Sequence, residues 1–139
     1  RFDPDLQRLF HHSRALEYDT SEHEEGLIVL VHLDGEENQQ VYLRLVAVGG
    51  KFDQLVRFES AVLTKARGIP LIASKLKKSA LLDMLMANAD EEIQCRFSVR
   101  REDGSVVVIT DQLLHTLDDD EFHQHVMAVA KVASKFSKP

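Results

Sequence analysis

Residues 118–136 constrain the fold most. Asp118 is followed three positions later by Glu121, the spacing of a capping box, and Asp118-Asp119-Asp120-Glu121 gathers negative charge at the positive end of a helix dipole. Lys131 and Lys135 sit towards the other end. At about 100° per residue, Phe122, Val126, Val129, Ala133 and Phe136 fall within an arc of roughly 80°. A long helix with one apolar stripe must lie on a surface made by the rest of the chain, so the remaining sequence has to supply a sheet or further helices.

It supplies both. Ile93, Cys95, Phe97 and Val99 alternate with Gln94, Arg96, Ser98 and Arg100, the pattern of an antiparallel strand with one buried and one wet face. Asp103-Gly104 turns the chain, and Val106 to Ile109 returns as a second strand. Upstream, Leu27 to Leu33 is a β-branched apolar run of strand length, and the alternation from Val41 to Val48 predicts its hairpin partner, with a loop near residues 34–39 around Asp34-Gly35. Gly49-Gly50 ends that strand. Leu55 to Leu63 fits neither period cleanly and is read as a further strand, because Gly68-Ile69-Pro70 closes it and its neighbours are strands or turns. Asp3-Pro4-Asp5 with Leu6, Leu9 and Phe10 predicts a short first helix capped by Asp3, and a second helix runs from Ser74 to about Asn88. The expected fold is therefore α+β, a single domain over residues 1–139. Helices pack on an antiparallel sheet of about five strands in the order α-β-β-β-α-β-β-α.

Composition excludes more than it proposes. The 139 residues are 44% apolar and 29% charged, an ordinary globular mixture rather than a disordered one. The net charge of −6 has the wrong sign for a domain whose task is to coat a phosphate backbone. Cys95 is the single cysteine, so no intramolecular disulfide forms, and the apolar run Leu27 to Val31 is far short of the roughly 20 residues that span a bilayer. No charged-then-apolar signal segment opens the sequence. A cytoplasmic setting with no membrane contact is the expectation.

No catalytic signature stands out. His123 and His125 lie two apart on a helix and point about 200° from each other, and His11 and His12 are adjacent, so neither pair can chelate one ion. Cys95 shares the apolar phase of its strand, as a small core residue would. No phosphate-binding glycine loop or nucleophile elbow is present. No metal, cofactor or catalytic residue is assigned, and the chain reads as no enzyme. Arg96, Arg100 and Arg101 would form a basic strip on the wet face of the sheet, with Arg96 and Arg100 the candidate nucleic-acid contacts; Phe97 between them falls on the apolar phase, so no aromatic residue is interleaved on their face for stacking bases. The second helix is the informative oddity. Leu76, Ala80 and Met84 make one apolar stripe with Lys75, Lys77 and Lys78 on the other side, yet Leu82 and Met86 lie off that stripe. A second apolar face needs a second partner, so Leu82, Met84, Leu85 and Met86 form the candidate dimer or partner interface.

The order of elements, the stretch Leu81-Leu82-Asp83-Met84-Leu85-Met86-Ala87-Asn88, the strand pair from Gln94 to Ile109 around Asp103-Gly104, and the helix from Asp118 to Phe136 resemble the YbjN family of bacterial proteins. That family is similar in fold to the type III secretion chaperones, which are small acidic dimers. The resemblance spans about Gly26 to Phe136 and carries over no functional residue. It implies a cytoplasmic homodimer that binds a client or regulatory protein, in sensory transduction or stress response, without consuming ATP. Two other readings stand beside it: a regulator of nucleic-acid transactions acting through DNA or a DNA-bound protein, and a small-ligand sensor using a pocket between sheet and helices.

Overall fold

The computed structural model describes residues 4–33, 38–47, 54–64, 68–90 and 94–137. Helix α1 (Pro4–Ala15) precedes four strands, β1 (Asp19–His23), β2 (Gly26–His32), β3 (Asn38–Ala47) and β4 (Gln54–Ala61). Helix α2 (Lys78–Asn88), strands β5 (Arg96–Val99) and β6 (Val106–Leu113), and helix α3 (Asp119–Phe136) follow. Among the described residues the strands form one antiparallel sheet of six in the order β1-β2-β3-β4-β6-β5. The fold is α+β with the order α-β-β-β-β-α-β-β-α.

Pairing sets two faces. Leu27 opposes Leu43, Leu43 opposes Phe58, and Phe58 opposes Thr110, while Val29 opposes Val41 in the next row. With Val56 and Val108 these side chains make the inner face, and α3 lays Phe122, Val126, Val129 and Ala133 on it. Phe58 meets Phe122 edge to face at 5.7 Å, which locks the centre of the sheet to the first turns of α3. Helix α1 adds Leu6 and Leu9 to the same core. The residues one step out of phase along the strands, among them Arg44, Arg57, Glu59 and Asp111, occupy the opposite face.

Three expectations need correction. The sheet has six strands among the described residues, not five: β1 is not legible because Asp19-Thr20-Ser21-Glu22-His23 is an edge strand exposed for most of its length and therefore carries no hydrophobic period. The helix predicted from Ser74 begins at Lys78; Ala73–Lys75 is instead a 3-10 turn, and Lys77 is extended. Strand β4 ends at Ala61, after which Leu63 bridges to Pro70. Its sequence fits no simple period because Phe58, Glu59 and Ser60 are all buried, from both faces. The capping box at Asp118 is present, with the Asp118 side chain accepting from Glu121 N–H and Glu121 accepting from Asp118 N–H. Asp3, Asp34-Gly35, Gly49-Gly50 and Ile93 lie outside the described residues.

Candidate functional site

Helix α2 is held by one side. Met84 is 3% exposed and belongs to the core, where Leu76 and Ala87 also pack. At the far end, the Asn88 side chain accepts from Phe97 N–H at 2.6 Å and donates to Phe97 C=O at 3.3 Å. These are the two bonds a neighbouring strand would make, so Asn88 closes part of the outer edge of β5 and fixes α2 to the sheet. The other side of α2 is bare: Leu82 is 47% exposed, Leu85 63% and Met86 72%. At about 100° per residue these three lie within an arc of roughly 100°, and Met84 points away from them. The predicted interface set therefore divides. Leu82, Leu85 and Met86 share an open face, whereas Met84 is a core residue and leaves the set because its side chain is already spent on intramolecular packing.

The outer face of the sheet carries ion pairs. Arg57 donates two parallel hydrogen bonds to Asp111, Nε to Oδ1 at 2.8 Å and Nη2 to Oδ2 at 3.0 Å. Arg96 adds a third at 3.3 Å to Oδ2. Burial by itself would raise the Asp111 carboxyl, but hydrogen bonds and charge from Arg57 and Arg96 outweigh it and hold the group below the usual carboxylate range. Arg100 pairs with the buried Glu59 and reaches Asp103 at 3.4 Å. Both arginines named as nucleic-acid contacts thus already have carboxylate partners, and a phosphate would have to compete with them. That engagement is invisible in sequence, since Asp111 lies 15 residues from Arg96 and Glu59 lies 41 from Arg100.

Histidines that cannot chelate an ion together tie elements to α3 or α3 to the sheet. His12 on α1 bonds Asp119 and stacks on Phe122 at 5.8 Å. Tyr18 meets His123 Nδ1 at 2.6 Å. His125 stacks on Phe58 at 5.1 Å and pairs through Nε2 with Gln112 Oε1 at 3.1 Å. Its burial lowers its pKa below the ordinary histidine value, against a smaller opposing effect of Glu121. Among the described residues no group of three or more His, Cys, Asp or Glu side chains could hold a metal ion. Cys95 is buried, and burial pushes its thiol up to about 11, so at neutral pH it is a protonated packing group rather than a nucleophile. No helix among the described residues is long and apolar enough to cross a membrane. Comparison with protein-family models and with curated proteins finds no match for the chain, so its function has to be argued from the bare face of α2 and the surfaces around it.

Proposed function

We propose that this chain is a non-enzymatic protein-binding module of the bacterial cytoplasm, an adaptor or chaperone-like regulator that works as a homodimer through the open face of α2. One observation carries the reading: Leu82, Leu85 and Met86 stand together in solvent on a helix whose opposite side is already buried. Burying apolar surface yields roughly 25 cal/mol per Å², so such a cluster favours a partner far more than scattered surface leucines do. Methionine suits the role because its unbranched side chain adapts to a facing surface. A client or regulatory protein would then use ground that the dimer leaves free, such as the β1 edge.

The nucleic-acid reading has less behind it, because Arg96 and Arg100 are engaged by Asp111, Glu59 and Asp103 and the whole chain carries −6. Met86→Asp tests the proposal. The wild-type chain is expected at the mass of a dimer by light scattering and the variant at that of a monomer, with the same far-UV circular dichroism. A variant that keeps the dimer mass sinks the placement of the interface on α2.

A further inference from the structure

The three methionines of the chain sit in three different environments. Met84 is 3% exposed and Met127 is partly buried against the core, whereas Met86 is 72% exposed. Methionine is among the residue types most often fully buried, which sets Met86 apart. A frayed helix end does not account for its exposure. Met86 stands between two anchors, Met84 in the core and Asn88, whose side chain accepts from Phe97 N–H at 2.6 Å. Its thioether is therefore offered to solvent on a turn that is held in place, with Leu82 one turn earlier on the same face.

A thioether can do what the neighbouring leucines cannot: it takes up one oxygen by two-electron oxidation. The single thiol of the chain does not compete, because Cys95 is buried and stays protonated at neutral pH. We propose that Met86 is an oxidation site for hydroperoxides, and that its sulfoxide switches off the partner face of α2. A sulfur lone pair attacks one oxygen of hydrogen peroxide, the S–O bond forms as the O–O bond breaks, and the departing hydroxide takes the proton left on the new S–O group. The sulfur loses two electrons, and the peroxide leaves as water. The product is a polar, chiral side chain beside Leu82 and Leu85. Methionine sulfoxide reductases reverse the step: the oxygen leaves as water while a dithiol is oxidised to a disulfide. The core is spared, because the same oxidant meets Met84 and Met127 behind packed side chains.

The effect on association rests on the homodimer reading above. A sulfoxide oxygen set into an apolar contact loses its water without gaining a hydrogen bond, so chains oxidised at Met86 pair less tightly. Linkage also runs the other way. A dimer that covers Met86 shields it from peroxide, so oxidation proceeds from the free chain and falls on chains that have no partner.

Hydrogen peroxide treatment of the reduced chain, read by peptide mass spectrometry and sedimentation equilibrium, tests the site and the switch together. Met86 should gain one oxygen at least about ten times faster than Met84, which meets peroxide only when the core opens. Its oxidation should slow as protein concentration rises through the range in which the chain associates. The oxidised chain should associate about tenfold more weakly, until methionine sulfoxide reductases A and B with dithiothreitol restore it. Met86→Leu keeps an apolar side chain without the sulfur, so it should associate as the wild type does and be indifferent to peroxide. Equal oxidation of the three methionines, or a Met86→Leu chain that still dissociates under peroxide, overturns the assignment of the site. Oxidation at Met86 that leaves association unchanged overturns the switch while leaving a homodimer in place. A reduced wild-type chain that stays monomeric at about 100 μM overturns the homodimer reading and the switch with it, even where Met86 still oxidises first.

Discussion

Helices α2 and α3 are built to opposite specifications. Helix α3 begins with a capping box and acidic residues, ends near Lys135, and buries Phe122, Val126, Val129, Ala130 and Ala133 on the inner face of the sheet. Helix α2 has no side-chain cap, begins with lysines, and fully encloses only Met84 while Leu82, Leu85 and Met86 stand in solvent. Every local choice in α3 agrees with its place in the domain, the consistency expected of a scaffold element. The local choices in α2 lack that consistency, and the proposed partner interface rests on this difference.

The contrast is sharpest within α2 itself. Met84→Ala removes a core side chain and should cost about 2–5 kcal/mol of unfolding free energy. Met86→Ala, two residues away and 72% exposed, should stay within about 0.5 kcal/mol when unfolding is measured on the monomer. Urea denaturation of both variants checks this, and equal losses would abolish the distinction between the two faces. Asp118→Ala removes the capping box of α3 and should cost about 1 kcal/mol, whereas Lys77→Ala, at the corresponding position of α2, should cost nothing measurable because no side-chain cap exists there. The smallest effect concerns pH. His125 binds its proton less readily in the folded chain than at the ordinary value of 6.5, chiefly because it is buried. Above that value both states are neutral and the group contributes no pH dependence. As pH falls below it the unfolded chain takes up the proton first, so stability declines. Melting temperatures between about pH 7.5 and 5 should fall less for His125→Gln than for the wild type, and equal slopes would remove His125 from the account.

Legibility follows the contrast between buried and exposed. Helix α3 is readable to its cap because cap, dipole charges and stripe lie close together in the chain and all agree. Strand β5 announces itself through Phe97 alternating with Arg96 and Ser98, but Val99, expected on the buried face with Phe97, is 53% exposed at the strand's end. Strand β1 gives no sign, because an edge strand with both faces wet has nothing to alternate. The site is half legible. Sequence puts Leu82, Met84, Leu85 and Met86 together, since an excess of apolar residues around a helix is a one-dimensional fact. Which of them faces outward is not readable, because the stripe through Leu76 presumes a helix that in fact starts only at Lys78.

By itself, then, the amino-acid sequence determined the α+β class, the single stripe and capped start of α3, the core phase of Cys95 and the surplus of apolar residues on α2, all consequences of periods and caps that act over a few neighbouring positions. The tertiary structure decided what depends on distant residues meeting. It closed Arg96 and Arg100 onto Asp111 and Glu59, placed His12, Tyr18 and His125 against α3 and the sheet, and used Asn88 to hold α2 at the β5 edge. By spending Met84 on the core and leaving Leu82, Leu85 and Met86 in water, it also decided which face of α2 is free. Burial is a property of the packed chain, and no local pattern specifies which of two apolar faces the rest of the molecule will cover.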